Sequence, residues 1–258
     1  MKRLLAASLT GLALLSGSAL AADLPPAPQV YKAPAVVAPA YNWSGFYLNA
    51  GGGYGMWNAD TQVFFPGGAC LTCVVETFGG RGYFGTAGGG FDYQLGGLGM
   101  GAWNPTIVVG LMADYNFESL KGTMGAGLTS AQIKETAAWA GGARIGLAFG
   151  PNLFTYINGG ATGTRFGGTS FVSDVTGAPA GFGTAAFWKT GWFLGGGTET
   201  SLSGILPVGW FLRSEYRYSY FSTTNVPLVT GGVTGAVLGW HPVVQTLSTS
   251  IVYKFNWQ

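Results

Sequence analysis

The sequence predicts an all-β protein: an eight-stranded antiparallel transmembrane β-barrel behind a cleaved signal peptide and a Pro-rich N-terminal linker. Three observations carry that prediction. The composition is too apolar for a water-facing domain yet holds no membrane helix, a period-two alternation recurs along the chain, and the connections between alternating segments are long and short in turn.

Of 258 residues, 46 are Gly, 15% are aromatic and only 9% are charged, where about 25% charged is usual. Nucleic-acid binders, coiled coils and disordered chains all need more charge than this. The mean hydropathy is +0.31. Beyond residue 21, however, Gly, Pro or a polar residue interrupts every apolar run before the roughly 18 residues that a membrane helix needs. The formal charge of +2 comes from Lys2 and Arg3, so the exported chain is neutral.

Residues 1–21 read as a signal peptide. Lys2 and Arg3 are its positive start, Leu4 to Leu15 its apolar core and Ala19-Leu20-Ala21 its cleavage site. Residues 22–42 form the linker, where Pro25, Pro26, Pro28, Pro34 and Pro39 leave neither helical nor strand period. Residues 43–258 are then one domain. Export places Cys70 and Cys73 in an oxidising compartment, which predicts a disulfide between them rather than a metal half-site.

The first strand runs from Phe46 to Met56, with Phe46, Leu48, Ala50, Tyr54 and Met56 on one face and Tyr47, Asn49 and glycines on the other. Ala87 to Leu95 sets Phe91, Tyr93 and Leu95 against Gly90, Asp92 and Gln94. Ile107 to Phe117 sets Val109, Leu111, Tyr115 and Phe117 against Gly110, Met112, Asp114 and Asn116. Trp139 to Phe149 places Ile145 and Leu147 opposite Gly142 and Arg144, and Leu153 to Gly163 is a strand whose faces the pattern leaves unassigned. Trp192 to Leu202 opposes Trp192 and Leu194 to Phe193, Gly195 and Glu199. Trp210 to Tyr220 opposes Leu212, Tyr216 and Tyr218 to Arg213, Glu215 and Arg217. In the last strand Leu247, Ile251, Tyr253 and Phe255 face away from Ser248, Ser250 and Lys254.

A soluble sandwich would crowd its second face with Lys and Glu; bulky apolar residues on one face with Gly, Ser and a few charges on the other fit a barrel in lipid. The loops expected at 58–83, 118–137, 164–187 and 221–242 are long and those at 96–102, 150–152 and 203–208 short. Short turns belong to the periplasmic end and long loops to the exterior. Tryptophan, which favours membrane boundaries, then gives two girdles clear of strand middles: Trp43, Trp103, Trp210 and Trp257 at one end, Trp57, Trp139, Trp188, Trp192 and Trp240 at the other.

The run from Ala19 to Pro26, the Tyr41–Gly55 segment YNWSGFYLNAGGGYG, and in order GLMADY (from Gly110), ARIGLAF (from Ala143), TYINGGATG (from Thr155), GWFLGGGTE (from Gly191), LRSEYRY (from Leu212) and STSIVYKFNW (from Ser248) carry a resemblance. The chain resembles the small outer-membrane barrels of alphaproteobacteria, rhizobial and related genera especially, known as outer membrane immunogenic proteins or OmpA-like porin-family barrels. It departs from their usual aromatic end, because Gln258 follows Trp257. The resemblance implies a Gram-negative outer-membrane location, contact with outer-membrane lipid and lipopolysaccharide, insertion by the barrel assembly machinery and exposure of the loops as a surface antigen. It also implies that some such barrels are joined to peptidoglycan through an N-terminal alanine, here Ala22. Extended, the linker reaches roughly 60 Å; a plain spacer explains the same residues.

Catalysis and cofactor binding find little support. Gly80-Arg81-Gly82-Tyr83-Phe84-Gly85 has the dinucleotide-loop spacing but leads into a strand instead of a helix. His241 is the one histidine; relatives of the resembled family that bind haem make it a weak haem ligand candidate, against a plain polar residue of the headgroup belt. No cofactor, metal or nucleic-acid partner is expected, and no enzyme. The inward charges say more. Asp92, Asp114, Glu118, Glu199 and Glu215 oppose Arg144, Arg213, Arg217 and Lys254, in a barrel just wide enough for its side chains to fill. They form either a paired plug or a narrow charged path. The sequence thus reads as an outer-membrane barrel serving envelope integrity, with a small porin or a surface protein binding haem or a host component as the alternative.

Overall fold

The computed structural model describes residues 41–64, 68–70, 75–99, 104–125, 128–230 and 232–256. The expected signal peptide, Ala22, Cys73, Trp103 and Trp257 lie outside the described residues.

Eleven strands join in one antiparallel sheet: β1 (Gly45–Phe64), β2 (Glu76–Gly97), β3 (Thr106–Gly125), β4 (Thr129–Phe149), β5 (Leu153–Phe166), β6 (Thr169–Ser173), β7 (Pro179–Thr184), β8 (Phe187–Ser201), β9 (Trp210–Phe221), β10 (Thr224–Thr230) and β11 (Gly232–Asn256). Eight of them make a ring in the order β1-β2-β3-β4-β5-β8-β9-β11, which β11 closes by pairing back onto β1 from Gly45↔Asn256 to Phe64↔Val237. A closed ladder leaves no edge strand to template aggregation. The alternation sets the faces: Leu48, Leu111, Ile145, Leu194 and Leu247 point out and are exposed, while Tyr47, Asp92, Arg144, Glu199 and Lys254 point in and are buried. In β5, whose faces the pattern left unassigned, Ile157 points out and Phe154, Tyr156 and Asn158 point in. At the turn between β4 and β5, Gly150 adopts φ +60, a left-handed conformation that glycine takes without a Cβ penalty.

The four long loops of the sequence reading are mostly strand. β1 runs on to Phe64, β3 to Gly125, and β4 and β11 begin far earlier than expected. The reason is that the period survives while its polarity inverts: Trp57, Ala59, Thr61 and Val63 are buried inside and Asn58 and Asp60 are exposed outside. Lipid-facing alternation no longer describes such a wall.

β5 and β9 end at Phe166 and Phe221 and β8 begins at Phe187; within three residues of these points lie β6 and β10, which follow β5 and β9, and β7, which precedes β8. These pair β4–β6, β6–β7, β7–β10 and β10–β11, so a second ring of eight strands stands on the first in the order β1-β2-β3-β4-β6-β7-β10-β11. The molecule is therefore a barrel of two storeys, a lower one carrying the short turns and an upper one replacing the long loops. At one seam the ladders part: β8–β9 pairing ends at Gly191↔Phe221 and β7–β10 pairing takes over at Thr184↔Leu228. Lys189 Nζ bridges the seam by donating to Thr224 Oγ1.

The tryptophans correct the girdle expectation. Trp43, Trp57 and Trp240 point inward and are fully buried, and Trp57, Trp139 and Trp240 lie within long strands rather than at their ends. Only Trp139, Trp188 and Trp192 of the outer set are exposed on the outer wall. A barrel interior also rewards a large ring whose N–H finds an acceptor: Trp43 Nε1 donates to the Gly150 carbonyl at 3.0 Å and Trp57 Nε1 to that of Leu120 at 3.4 Å.

Candidate functional site

The interior of the barrel gathers nearly all the chemistry of the chain, in layers that begin at the short-turn end. The floor is aromatic. Trp43 packs between Phe154 and Phe211 at centroid distances of 5.4 and 5.1 Å, and Tyr41, at the end of the expected linker, stands edge-on to Trp43 at 5.1 Å. The chain entering the barrel is pinned there, because Trp43 N donates to Gln94 Oε1 (2.9 Å) and Gln94 N to Ser44 Oγ (3.0 Å).

Above the floor lies a five-residue ion network. Arg144 grips Asp92 with a fork, Nε to Oδ1 at 2.9 Å and Nη2 to Oδ2 at 2.6 Å, and donates Nη1 to Glu199 Oε1 at 2.7 Å. Arg213 donates Nε and Nη2 to the same Glu199 oxygen at 3.0 and 2.8 Å, and Nη1 to Asn49 Oδ1 at 3.2 Å. Lys254 Nζ links Asp92 (2.7 Å) to Glu199 (2.9 Å). Tyr47 lies under both guanidiniums, 4.3 Å from Arg144 Cζ and 4.8 Å from Arg213 Cζ, which adds cation–π attraction in a dry setting. Glycines make room for this layer: a Cβ at Gly90 would strike the Tyr47 ring, and one at Gly110 the Asp92 carboxylate.

The next layer has the opposite balance. Arg217 holds Asp114 through Nη1 (2.9 Å) and Nη2 (2.7 Å) and Glu215 through Nη2 (2.7 Å). Tyr156 Oη and Asn158 Nδ2 donate to the other Glu215 oxygen at 2.7 and 3.0 Å. With three cations to two carboxylates below and one to two here, the layers neutralise each other. Burying charge costs several kcal/mol per ion unless geometry and hydrogen bonds are good, and here every carboxylate of the two layers is held by a cation.

Glu118, read among the ion-paired set, stands apart from it. It faces Glu135 from β4; Asn116 Nδ2 donates to Glu118 Oε1 at 3.4 Å and Thr164 Oγ1 to Glu135. A cavity of about 10 Å³ adjoins both carboxyls, room for about one water. The ceiling follows at once. Trp57, Phe166 and Trp240 form a triangle of rings with centroid distances of 5.7, 5.5 and 5.5 Å, and Leu120, Met124, Phe171, Leu228 and Leu238 fill the upper storey above.

All seven lumen charges singled out from the sequence, Asp92, Asp114, Arg144, Glu199, Arg213, Glu215 and Arg217, therefore meet inside one barrel. The sequence reading missed Glu135, which fell within the expected loop 118–137, and Tyr156 and Asn158, which fell on the unassigned strand. His241 is elsewhere, on the outer face of β11, edge-on to Tyr220 at 5.1 Å and opposite Asp60 in register. Among the described residues no three metal-binding side chains cluster. Cys70 is disulfide-bonded; its expected partner Cys73 lies outside the described residues. The Gly80–Gly85 segment is plain strand in β2.

No family model and no curated protein matches the chain. Among solved structures it is similar to Neisserial surface protein A, with 15% identity over 82% of this chain and 98% of that one and a TM-score of 0.40. It is also similar to the outer membrane protein OprG from Pseudomonas aeruginosa (13% identity, 84% and 99% covered, TM-score 0.47) and to the outer membrane protease OmpT from Escherichia coli (11%, 85% and 99%, 0.41).

Proposed function

We propose that the protein is a non-enzymatic barrel of the Gram-negative outer membrane that serves envelope integrity, its upper storey standing outside the cell, and that it conducts nothing. The observation that carries this is the lower storey itself, whose apolar exterior encloses two mutually neutralising ion layers in which every carboxylate is held by a cation. A pore would require the aromatic floor, the Arg144–Glu199 layer and the Trp57–Phe166–Trp240 ceiling to open together. Hydrolysis would require an accessible nucleophile beside a base, and His241 stands on the outer wall, edge-on to the Tyr220 ring. The apolar band around Leu48, Leu111 and Leu194 matches what lipid asks of a barrel exterior.

Purified protein in a planar bilayer tests this. The expected result is a silent membrane at all voltages. Steady single-channel openings, with an ion selectivity that changes in Arg213→Ala, would replace the plug by a pore.

A further inference from the structure

Nine Lys and Arg residues fall among the described positions. Four of them, Arg144, Arg213, Arg217 and Lys254, are the interior cations, and Lys189 bridges the seam. The other four, Arg81, Lys121, Lys134 and Arg165, stand on four consecutive strands, β2 to β5. Each points outward, because its neighbours in sequence point in: Trp57 fills the space inside Gly80, Leu120 and Ile133 are buried, and so are Thr164 and Phe166. The register aligns them. Arg81 pairs with Lys121, Lys121 with Lys134, and Arg165 pairs with Ala137, slightly nearer the lower storey.

Like charges directly opposite on adjacent strands repel. Among the described residues none of the four is in an ion pair. The nearby carboxylates are turned away or engaged: Glu118 and Glu135 point inward, and Asp60 and Asp174 accept hydrogen bonds from Thr77 and Ser130. Tyr83, Phe117 and Trp139 just below the row, toward the apolar band, and Trp188 opposite Arg165 are exposed on the same outer face, the side-chain types that settle at a membrane boundary. The cations thus stand where headgroups would lie.

We infer that this row is a binding site for the phosphates of an anionic glycolipid of the outer leaflet, Arg81 and Arg165 gripping phosphate oxygens with their forks at the ends and Lys121 and Lys134 supplying charge between them. The inference rests on the outer-membrane reading above. In a lipid surface several phosphates lie side by side, which matches four cations in a row better than a single soluble anion does.

The test is retention of lipid by the full chain, refolded into phosphatidylcholine nanodiscs doped with bisphosphorylated lipid A or with its dephosphorylated form, and read by native mass spectrometry. The wild-type barrel should retain the bisphosphorylated form about tenfold or more over the other, and the variant R81Q/K121Q/K134Q/R165Q should lose that preference. Should the quadruple variant misfold, Lys121→Gln alone is expected to weaken retention about fivefold, while Asp60→Asn leaves it intact. Equal retention of the two lipids, or unchanged retention in the folded variants, overturns the site. Displacement of the lipid by millimolar inorganic phosphate overturns the lipid as its ligand in favour of a soluble anion. Failure of the wild-type chain to enter the bilayer, seen as identical gel mobility before and after boiling, overturns the membrane reading and the site with it; loss of preference in an inserted barrel touches the site alone.

Discussion

The two storeys share five strands, β1 to β4 and β11, yet have opposite insides and outsides. In the lower one Leu48, Leu111, Ile145 and Leu194 face out while Asp92, Arg144, Glu199 and Arg213 are packed within; in the upper one Asn58, Asp60 and Lys121 face out while Trp57, Leu120, Phe171 and Leu238 are packed within. Backbone pairing runs unbroken from one to the other along β1 and β11. The ladder is thus indifferent to polarity, and the medium on each side decides which side chains a wall must show. On the outer-membrane proposal, lipid outside forbids polar groups there and leaves a narrow interior to be filled by ions that satisfy each other; water outside calls for an apolar core, as in any soluble barrel.

The largest effect is expected where the lower storey stores its charge. Glu199 is wholly buried and ion-paired with Arg144, Arg213 and Lys254, so Glu199→Gln leaves the three cations of its layer with Asp92 as their one carboxylate. The folded barrel should lose about 3–5 kcal/mol, measured as a drop in its urea midpoint in detergent micelles. An unchanged midpoint would mean that the network is solvated and the lower interior is not dry.

One substitution made on both outer walls sharpens the contrast. Leu111→Arg, in the apolar band, should cost about 2–4 kcal/mol in a bilayer, whereas Gln132→Arg on the exposed upper face of β4 should stay within about 0.5 kcal/mol. Unfolding from lipid vesicles reads both. Equal costs would erase the distinction between the storeys.

Legibility followed the same division. In the lower storey the alternation of Phe46, Leu48 and Tyr54 against Tyr47 and Asn49 was readable because only one face is large and apolar. The lumen charges were readable because charge is scarce and Asp92, Asp114, Arg144 and Arg213 share the inward parity. Their partners were not readable, since Arg144 meets Asp92 and Glu199 from strands 52 and 55 residues away. β5 stayed ambiguous because Gly159, Gly160 and Gly163 give neither face a side chain. The upper storey reads as loop because Trp57, Ala59 and Val63 keep the period with the sign reversed, and because β6, β7 and β10 are short, with Gly and Pro in β7 and Pro in β10. Tryptophan misled for a related reason: Trp43, Trp57 and Trp240 fill the interior instead of marking a boundary.

The most direct test of two media on one ladder follows the outward face of β3, which crosses from one storey to the other. Single nitroxide labels at Leu111, Phe117, Ser119 and Thr123, in a background with Cys70 and Cys73 replaced by Ser, report whether each site meets lipid-soluble oxygen or a water-soluble nickel chelate in reconstituted vesicles. Oxygen should dominate at Leu111 and Phe117 and the chelate at Ser119 and Thr123, with the change falling between Phe117 and Ser119, just below Lys121. A chelate-accessible Leu111, or a Thr123 label as lipid-exposed as Leu111, would contradict the account.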